Sequence, residues 1–109
     1  MELLERKKDD WFVLGWKGKL DAITSAGVWE RLTCLIQQGE RRVLLDCTNL
    51  DYISSAGLRV LFEAAFMLKE KGGTLDCCSV NTNIGKVFKI VDLQADIRIY
   101  ASADEAMKH

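Results

Sequence analysis

Hydrophobic positions along this chain fall into short apolar runs that alternate with helical repeats. Short runs bounded by Gly, Asp or Asn predict buried strands, and apolar residues three or four apart predict amphipathic helices. The predicted strands are an edge strand at 1–8, a central strand at 11–16 that is apolar on both faces, and strands at 42–47, 74–80 and 97–101. The predicted helices are 22–38, about 55–71, 82–93 behind a Thr82 cap, and a short one after Ser102.

The order of these elements indicates the fold class. It reads β-β-α-β-α-β-α-β-α, with the polar stretch 48–52 interpreted as a connection rather than a strand. An antiparallel pair followed by crossovers favours an α/β fold with a mixed sheet of four to five strands and about four α-helices. The 109 residues suit a single domain, 1–109.

Charge and hydropathy exclude several classes of partner. Lys plus Arg total 15 against 16 Asp plus Glu, so the chain lacks the basic excess that nucleic-acid binding requires. No apolar run approaches the roughly 18 residues of a membrane span, and charges occupy the place of a signal peptide's apolar region. We therefore expect a cytoplasmic protein that contacts neither nucleic acid nor the membrane interior.

The residues that usually perform catalysis or bind metals are scarce. The only histidine is His109, the last residue, and the four cysteines show no C-x-x-C spacing. Adjacent Cys77 and Cys78 point to opposite faces of a predicted strand and are interpreted as core residues. A nucleophile elbow is excluded because Ile53 stands where the motif needs its first glycine. We expect no enzyme, no metal and no cofactor.

The most informative segment, 46–61, places two serines where a buried strand gives way to a helix. The first N–H groups of a helix have no partner within it, and the helix dipole favours negative charge there. A phosphate on Ser55 would occupy a favourable position. The alternative is that Ser54 or Ser55 is only a helix cap.

From Asp46 to Leu58 the chain reads Asp-x-x-x-Leu-x-x-Ile-Ser-Ser-Ala-Gly-Leu. This motif resembles the signature of the STAS domains that act as anti-sigma factor antagonists. The resemblance extends to 18–22 after the second strand, to Gly72-Gly73 before a later strand and to the order of elements. It implies a single STAS-like domain that spans the chain.

The resemblance also implies a set of site residues. The phosphorylated serine of the family stands two residues before the motif's glycine, so Gly57 assigns it to Ser55. The family's antagonists commonly have Asp immediately before that serine; here Ser54 replaces it and is a rival acceptor. Asp21 corresponds to an aspartate that contributes to kinase recognition, although it could equally cap the following helix.

We expect a partner surface around this serine, because helical phase directs one stripe of the second long helix away from the core. Phe66 lies at the margin of that stripe, so it is either an interface anchor or a core residue. The predicted partner-binding residues are Asp21, Ser54, Ser55, Gly57, Arg59, Glu63 and Phe66.

The function implied by the resemblance is partner switching. The unmodified protein would bind an anti-sigma factor that is a serine kinase and so release a sigma factor. Phosphorylation of Ser55 would end the binding, and a phosphatase would reset it. The alternative is a STAS adaptor subunit of a transporter or signalling scaffold, in which Ser55 is never modified.

Overall fold

Residues 2 to 108 form a mixed six-stranded sheet with four α-helices, which confirms the predicted α/β class, although the sheet has more strands than the four to five expected. The computed structural model describes residues 2 to 108, so Met1, predicted to begin the first strand, and His109 lie outside the described residues. In chain order the elements are β1 (Glu2–Lys8), β2 (Trp11–Leu20), α1 (Ser25–Gln37), β3 (Arg42–Asp46), β4 (Leu50–Ile53), α2 (Ser55–Glu70), β5 (Thr74–Cys78), α3 (Thr82–Ile90), a 3-10 turn (Leu93–Ala95), β6 (Ile99–Tyr100) and α4 (Ala103–Ala106).

Strand β2 is the organising element of the sheet. It pairs antiparallel with the edge strand β1 and parallel with β3, and the sheet continues through parallel β5 and β6. The predicted edge and central positions of the first two strands are therefore confirmed. Between residues 2 and 108, no helix combines the length and apolar composition needed to cross a bilayer.

The two faces of the sheet differ in what covers them. Successive residues of a strand point to opposite faces, and Leu14 and Leu45 lie in the large core beneath α1, α2 and α3. Val13 and Leu44 instead join a smaller cluster with Ala106 of α4. The apolar character of β2 on both faces follows from this double covering.

The structure contains a strand that the sequence analysis did not predict. The stretch 48–52 was interpreted as a polar connection, but Leu50–Ile53 pairs parallel with the end of β2. Strand β3 ends opposite Gly15, so the last residues of β2 have an open edge that β4 fills. Only Leu50 and Ile53 of this strand are buried, and four residues are too few for a clear alternating pattern.

The start of α1, the cap of α3 and the end of α3 also differ from the prediction. Helix α3 ends at Ile90 rather than at residue 93, and a separate 3-10 turn occupies Leu93–Ala95. Helix α1 begins at Ser25 rather than at residue 22, because a turn held by side-chain bonds precedes it. Helix α3 is capped by Asn81, not Thr82: the Asn81 side chain accepts a hydrogen bond from the Ile84 N–H at 2.9 Å and donates one to the Leu50 carbonyl. Asn81 thereby ties the start of α3 to β4.

The adjacent cysteines of β5 behave as core residues, as predicted. Cys77 lies in the large core and Cys78 in the cluster beneath α4, and both are free thiols. A hydrogen bond with the Cys47 thiol, together with burial, raises the pKa of Cys77. Burial raises the pKa of Cys78 to about 11. These thiols stay protonated at neutral pH, which makes them poor nucleophiles.

Asp76, on the sheet face beneath α4, is 4% exposed, and burial raises the pKa of its carboxyl despite a hydrogen bond from the Thr74 hydroxyl. A raised folded-state pKa means that the fold loses stability as pH rises above the unfolded value of about 4. We expect Asp76→Asn to increase the free energy of unfolding by about 1 kcal/mol at pH 7. The gain should vanish below about pH 4.

Urea unfolding at pH 7 and below about pH 4 measures this effect. Asp51→Asn, at an exposed position, is the control, and its free energy of unfolding should differ little from wild type at either pH. A loss of stability in Asp76→Asn at pH 7 would mean that attraction to the nearby Arg42 and Arg98 outweighs the cost of burying the carboxylate.

Candidate functional site

The predicted serine pair lies at the start of α2, and its two members occupy different positions. Ser54 is the N-cap, and its hydroxyl accepts a hydrogen bond from the Gly57 N–H at 3.2 Å. Ser55 is the first residue of the helix and is exposed, whereas Ser54 is half-buried. Of the two serines that the sequence offers as a helix cap, Ser54 is the cap, and Ser55 is an exposed residue that does not serve as one.

Gly57 allows the start of α2 to lie directly against the end of β2. A Cβ atom at Gly57 would lie 2.7 Å from the Leu20 carbonyl oxygen and 2.9 Å from Cγ1 of Ile53. Backbone from another element therefore occupies the space that a side chain would need. Gly57 is buried, so its contribution to the site is the placement of the two serines.

Asp21 organises the turn between β2 and α1. Its Oδ1 accepts hydrogen bonds from the N–H groups of Ile23 and Thr24 at 2.9 and 3.0 Å. The bond from Thr24, followed by that from Ile23, lowers the pKa of the Asp21 carboxyl, which is therefore ionised at neutral pH. Asp21 thus holds the turn that precedes α1, but it is not the cap of that helix: the N-cap is Thr24, without a side-chain cap hydrogen bond.

A single hydrogen bond brings the Asp21 turn and the serine pair to the same end of the sheet. The Ser54 N–H donates to the Leu20 carbonyl at 2.9 Å, and Leu20 and Ile53 are partners in the pairing of β2 with β4. Asp21 follows Leu20 and Ser55 follows Ser54, so a carboxylate and an exposed hydroxyl flank this link. The missed strand β4 is what aligns them.

The outward stripe of α2 carries an ion pair and an aromatic ring. Arg59 donates from Nε to Oε1 of Glu63 at 2.8 Å, and its side chain is 80% exposed. Phe66, one turn further on, is 63% exposed, so it does not belong to the core. We name Asp21, Ser55, Arg59, Glu63 and Phe66 together the serine face.

The serine face offers groups for hydrogen bonding, ion pairing and apolar contact. Its groups are a carboxylate, a hydroxyl, an ion pair and a phenyl ring, and no imidazole lies within residues 2 to 108 to activate the hydroxyl. In the same part of the chain, no cluster of three or more His, Cys, Asp or Glu side chains could hold a metal ion.

Comparison with known families identifies the architecture. The family model for the STAS domain matches residues 3–106, which is nearly the whole chain. The chain belongs to the STAS domain family. The predicted membership is thereby confirmed, and the serine face lies within the matched part of this STAS domain.

Individual relatives are consistent with this membership. The STAS domain is 36% identical to BtrV of Bordetella bronchiseptica over 90 residues, 83% of this chain and 78% of BtrV. It is 28% identical to an anti-sigma-B factor antagonist of Staphylococcus aureus over 87 residues, 80% of this chain and 81% of that protein. A crystal structure of the Thermotoga maritima protein tm1081 superposes with a TM-score of 0.93 at 20% identity, covering 97% of this chain and 92% of that one.

The structure adds two exposed apolar residues that the sequence analysis missed. Ile23, in the turn held by Asp21, is 87% exposed, and Tyr52, on β4, is 50% exposed. Both belong to the segments that the bond between Ser54 and Leu20 joins. The signal in the sequence for Ile23 is that an isoleucine lies outside the apolar helical repeat, which indicates an exposed position. Tyr52 gives no such signal, because it lies in the stretch predicted to be a polar connection.

Proposed function

We propose that this STAS domain is an anti-sigma factor antagonist whose unmodified form binds an anti-sigma factor with serine kinase activity. Binding sequesters that factor and releases its sigma factor. The observation that carries the proposal is Ser55, an exposed residue on the first turn of α2 at the same end of the sheet as the ionised Asp21. Relatedness to the antagonist of Staphylococcus aureus supports the same assignment.

The switch in this proposal is phosphoryl transfer to Ser55. The kinase moves the γ-phosphoryl group of ATP to Ser55 Oγ, the hydroxyl loses its proton, and ADP leaves. The phosphate adds about −1.5 to −2 charge at the helix start. That charge suits the helix dipole but opposes burial in a packed interface, so the partner dissociates while the fold persists. A phosphatase that removes the phosphate resets the cycle.

The contact surface in this proposal is the serine face with Ser54, Ile23 and Tyr52 beside it. Exposed aromatic and aliphatic side chains next to charged groups are typical of interface anchors. Gly57 acts indirectly, since it sets the distance between α2 and β2.

Incubation with ATP and candidate anti-sigma factor serine kinases tests the switch. We expect a mass increase of one phosphate, mapped to Ser55 by peptide sequencing and absent in Ser55→Ala. Ser54→Ala is the matched control and should still accept phosphate, because Ser55 remains exposed. Phosphate found only on Ser54 would reverse the assignment. No modification by any kinase would instead favour the adaptor subunit.

A further inference from the structure

Three residues of α2 lie in one line on its exposed side: Ser55, Arg59 and Glu63, each separated from the next by four positions. Residues four apart on a helix are neighbours on its surface, with an axial separation of about 6 Å. Arg59 is therefore within reach of both its neighbours, and in the unmodified protein its Nε bonds Glu63.

The existing pair has the weaker of the two possible orientations. Helical side chains lean toward the N-terminus, so an acidic residue placed four positions before a basic one pairs better than the reverse order. Here Arg59 precedes Glu63, which is the reverse order. Both side chains are also exposed, and exposed pairs contribute little to stability.

A phosphate on Ser55 would bind the Arg59 guanidinium more strongly than the Glu63 carboxylate does. It would stand four positions before Arg59, which is the favourable order, and it would carry more charge than a carboxylate. Guanidinium and phosphate groups form short, paired hydrogen bonds that are stronger than those between neutral groups.

We propose that Arg59 is the phosphate-binding residue of this chain and that phosphorylation of Ser55 transfers its guanidinium from Glu63 to the phosphate. This inference rests on the proposed function, since it requires a modified Ser55. The transfer leaves the Glu63 carboxylate unpaired, one turn from the exposed ring of Phe66.

The transfer extends the effect of the modification along α2. Glu63 lies about 12 Å from Ser55 along the helix axis, beyond the Debye length of about 8 Å at physiological salt. The phosphate's own field is thus largely screened at that point. Releasing the Glu63 carboxylate from Arg59 therefore changes the serine face near Phe66 as well as at Ser55.

The test uses the full chain with phosphoserine installed at residue 55 by genetic-code expansion, so no kinase is needed. The second pKa of the phosphate, about 6 in the free group, is followed by ³¹P NMR titration. Arg59→Ala should raise this pKa by about 0.5 pH units, because it removes the cation that favours the dianion. Glu63→Gln should lower it, since Arg59 then has no competitor.

Lys19→Ala is the control, because Lys19 is another exposed cation at this end of the sheet. A shift in Lys19→Ala as large as that in Arg59→Ala, or no shift in Arg59→Ala, would overturn the proposal. If the proposal holds, the ¹⁵N resonance of Arg59 Nε also differs between the chain with phosphoserine at residue 55 and the chain with serine there. Ser55→Ala, prepared in the same way, should match the serine form. Failure here would leave kinase binding and Ser55 modification standing. Failure of kinases to modify Ser55 would instead remove the proposed function and, with it, the regulatory role of Arg59, even if installed phosphoserine shows the pKa shift.

Discussion

Ser55→Glu should lower the affinity for the partner kinase by at least about tenfold, equivalent to about 1.4 kcal/mol. A fixed negative charge at an exposed helix start lies in the middle of the proposed contact surface, where an unpaired charge must be desolvated. The fold should persist, because an anion on the first turn interacts favourably with the helix dipole. Titration calorimetry with the kinase measures the affinity, and thermal unfolding measures the fold.

Ser55→Gln is the matched control, since glutamine has nearly the size of glutamate without its charge. We expect it to weaken binding much less than Ser55→Glu. Equal losses in the two variants would show that bulk rather than charge disrupts the contact. A large drop in melting temperature for either would instead show that Ser55 is needed structurally.

Gly57→Ala should cost about 2–3 kcal/mol of folding stability. The added Cβ would lie 2.7 Å from the Leu20 carbonyl oxygen and 2.8 Å from its Cγ, so α2 must move away from β2. The same movement would stretch the bond between Ser54 and Leu20 and displace Ser55 from Asp21. Stability from urea unfolding and kinase affinity should therefore fall together.

Gly27→Ala, in the first turn of α1, is the control for Gly57→Ala, and we expect it to raise folding stability rather than lower it. Apart from its chain neighbours and the backbone of its own helix, nothing lies within 4 Å of a Cβ built there, and alanine favours a helix by about 1 kcal/mol over glycine. This variant should be more stable than wild type. If Gly57→Ala were also stabilising, helix propensity would outweigh the close approach and Gly57 would have no positioning role.

Local patterns predicted most of the elements, and the exceptions have physical causes. The main helices follow apolar spacing, which depends only on neighbours along the chain, and α2 begins at the predicted Ser55. Strand β4 escaped prediction because its pairing depends on how far β2 extends beyond β3. The Asn81 cap escaped because its amide also bonds β4, a contact that sequence spacing does not reveal.

The α/β class, the serine at a strand-to-helix junction and the outward phase of Arg59 follow from local periodicity and a short motif, so they could be predicted from the sequence. Local patterns leave open which serine is the cap, what occupies the space at Gly57, whether Phe66 is exposed and which exposed residues share an end of the sheet. These depend on contacts between segments distant in the chain, where β2, β4 and α2 meet.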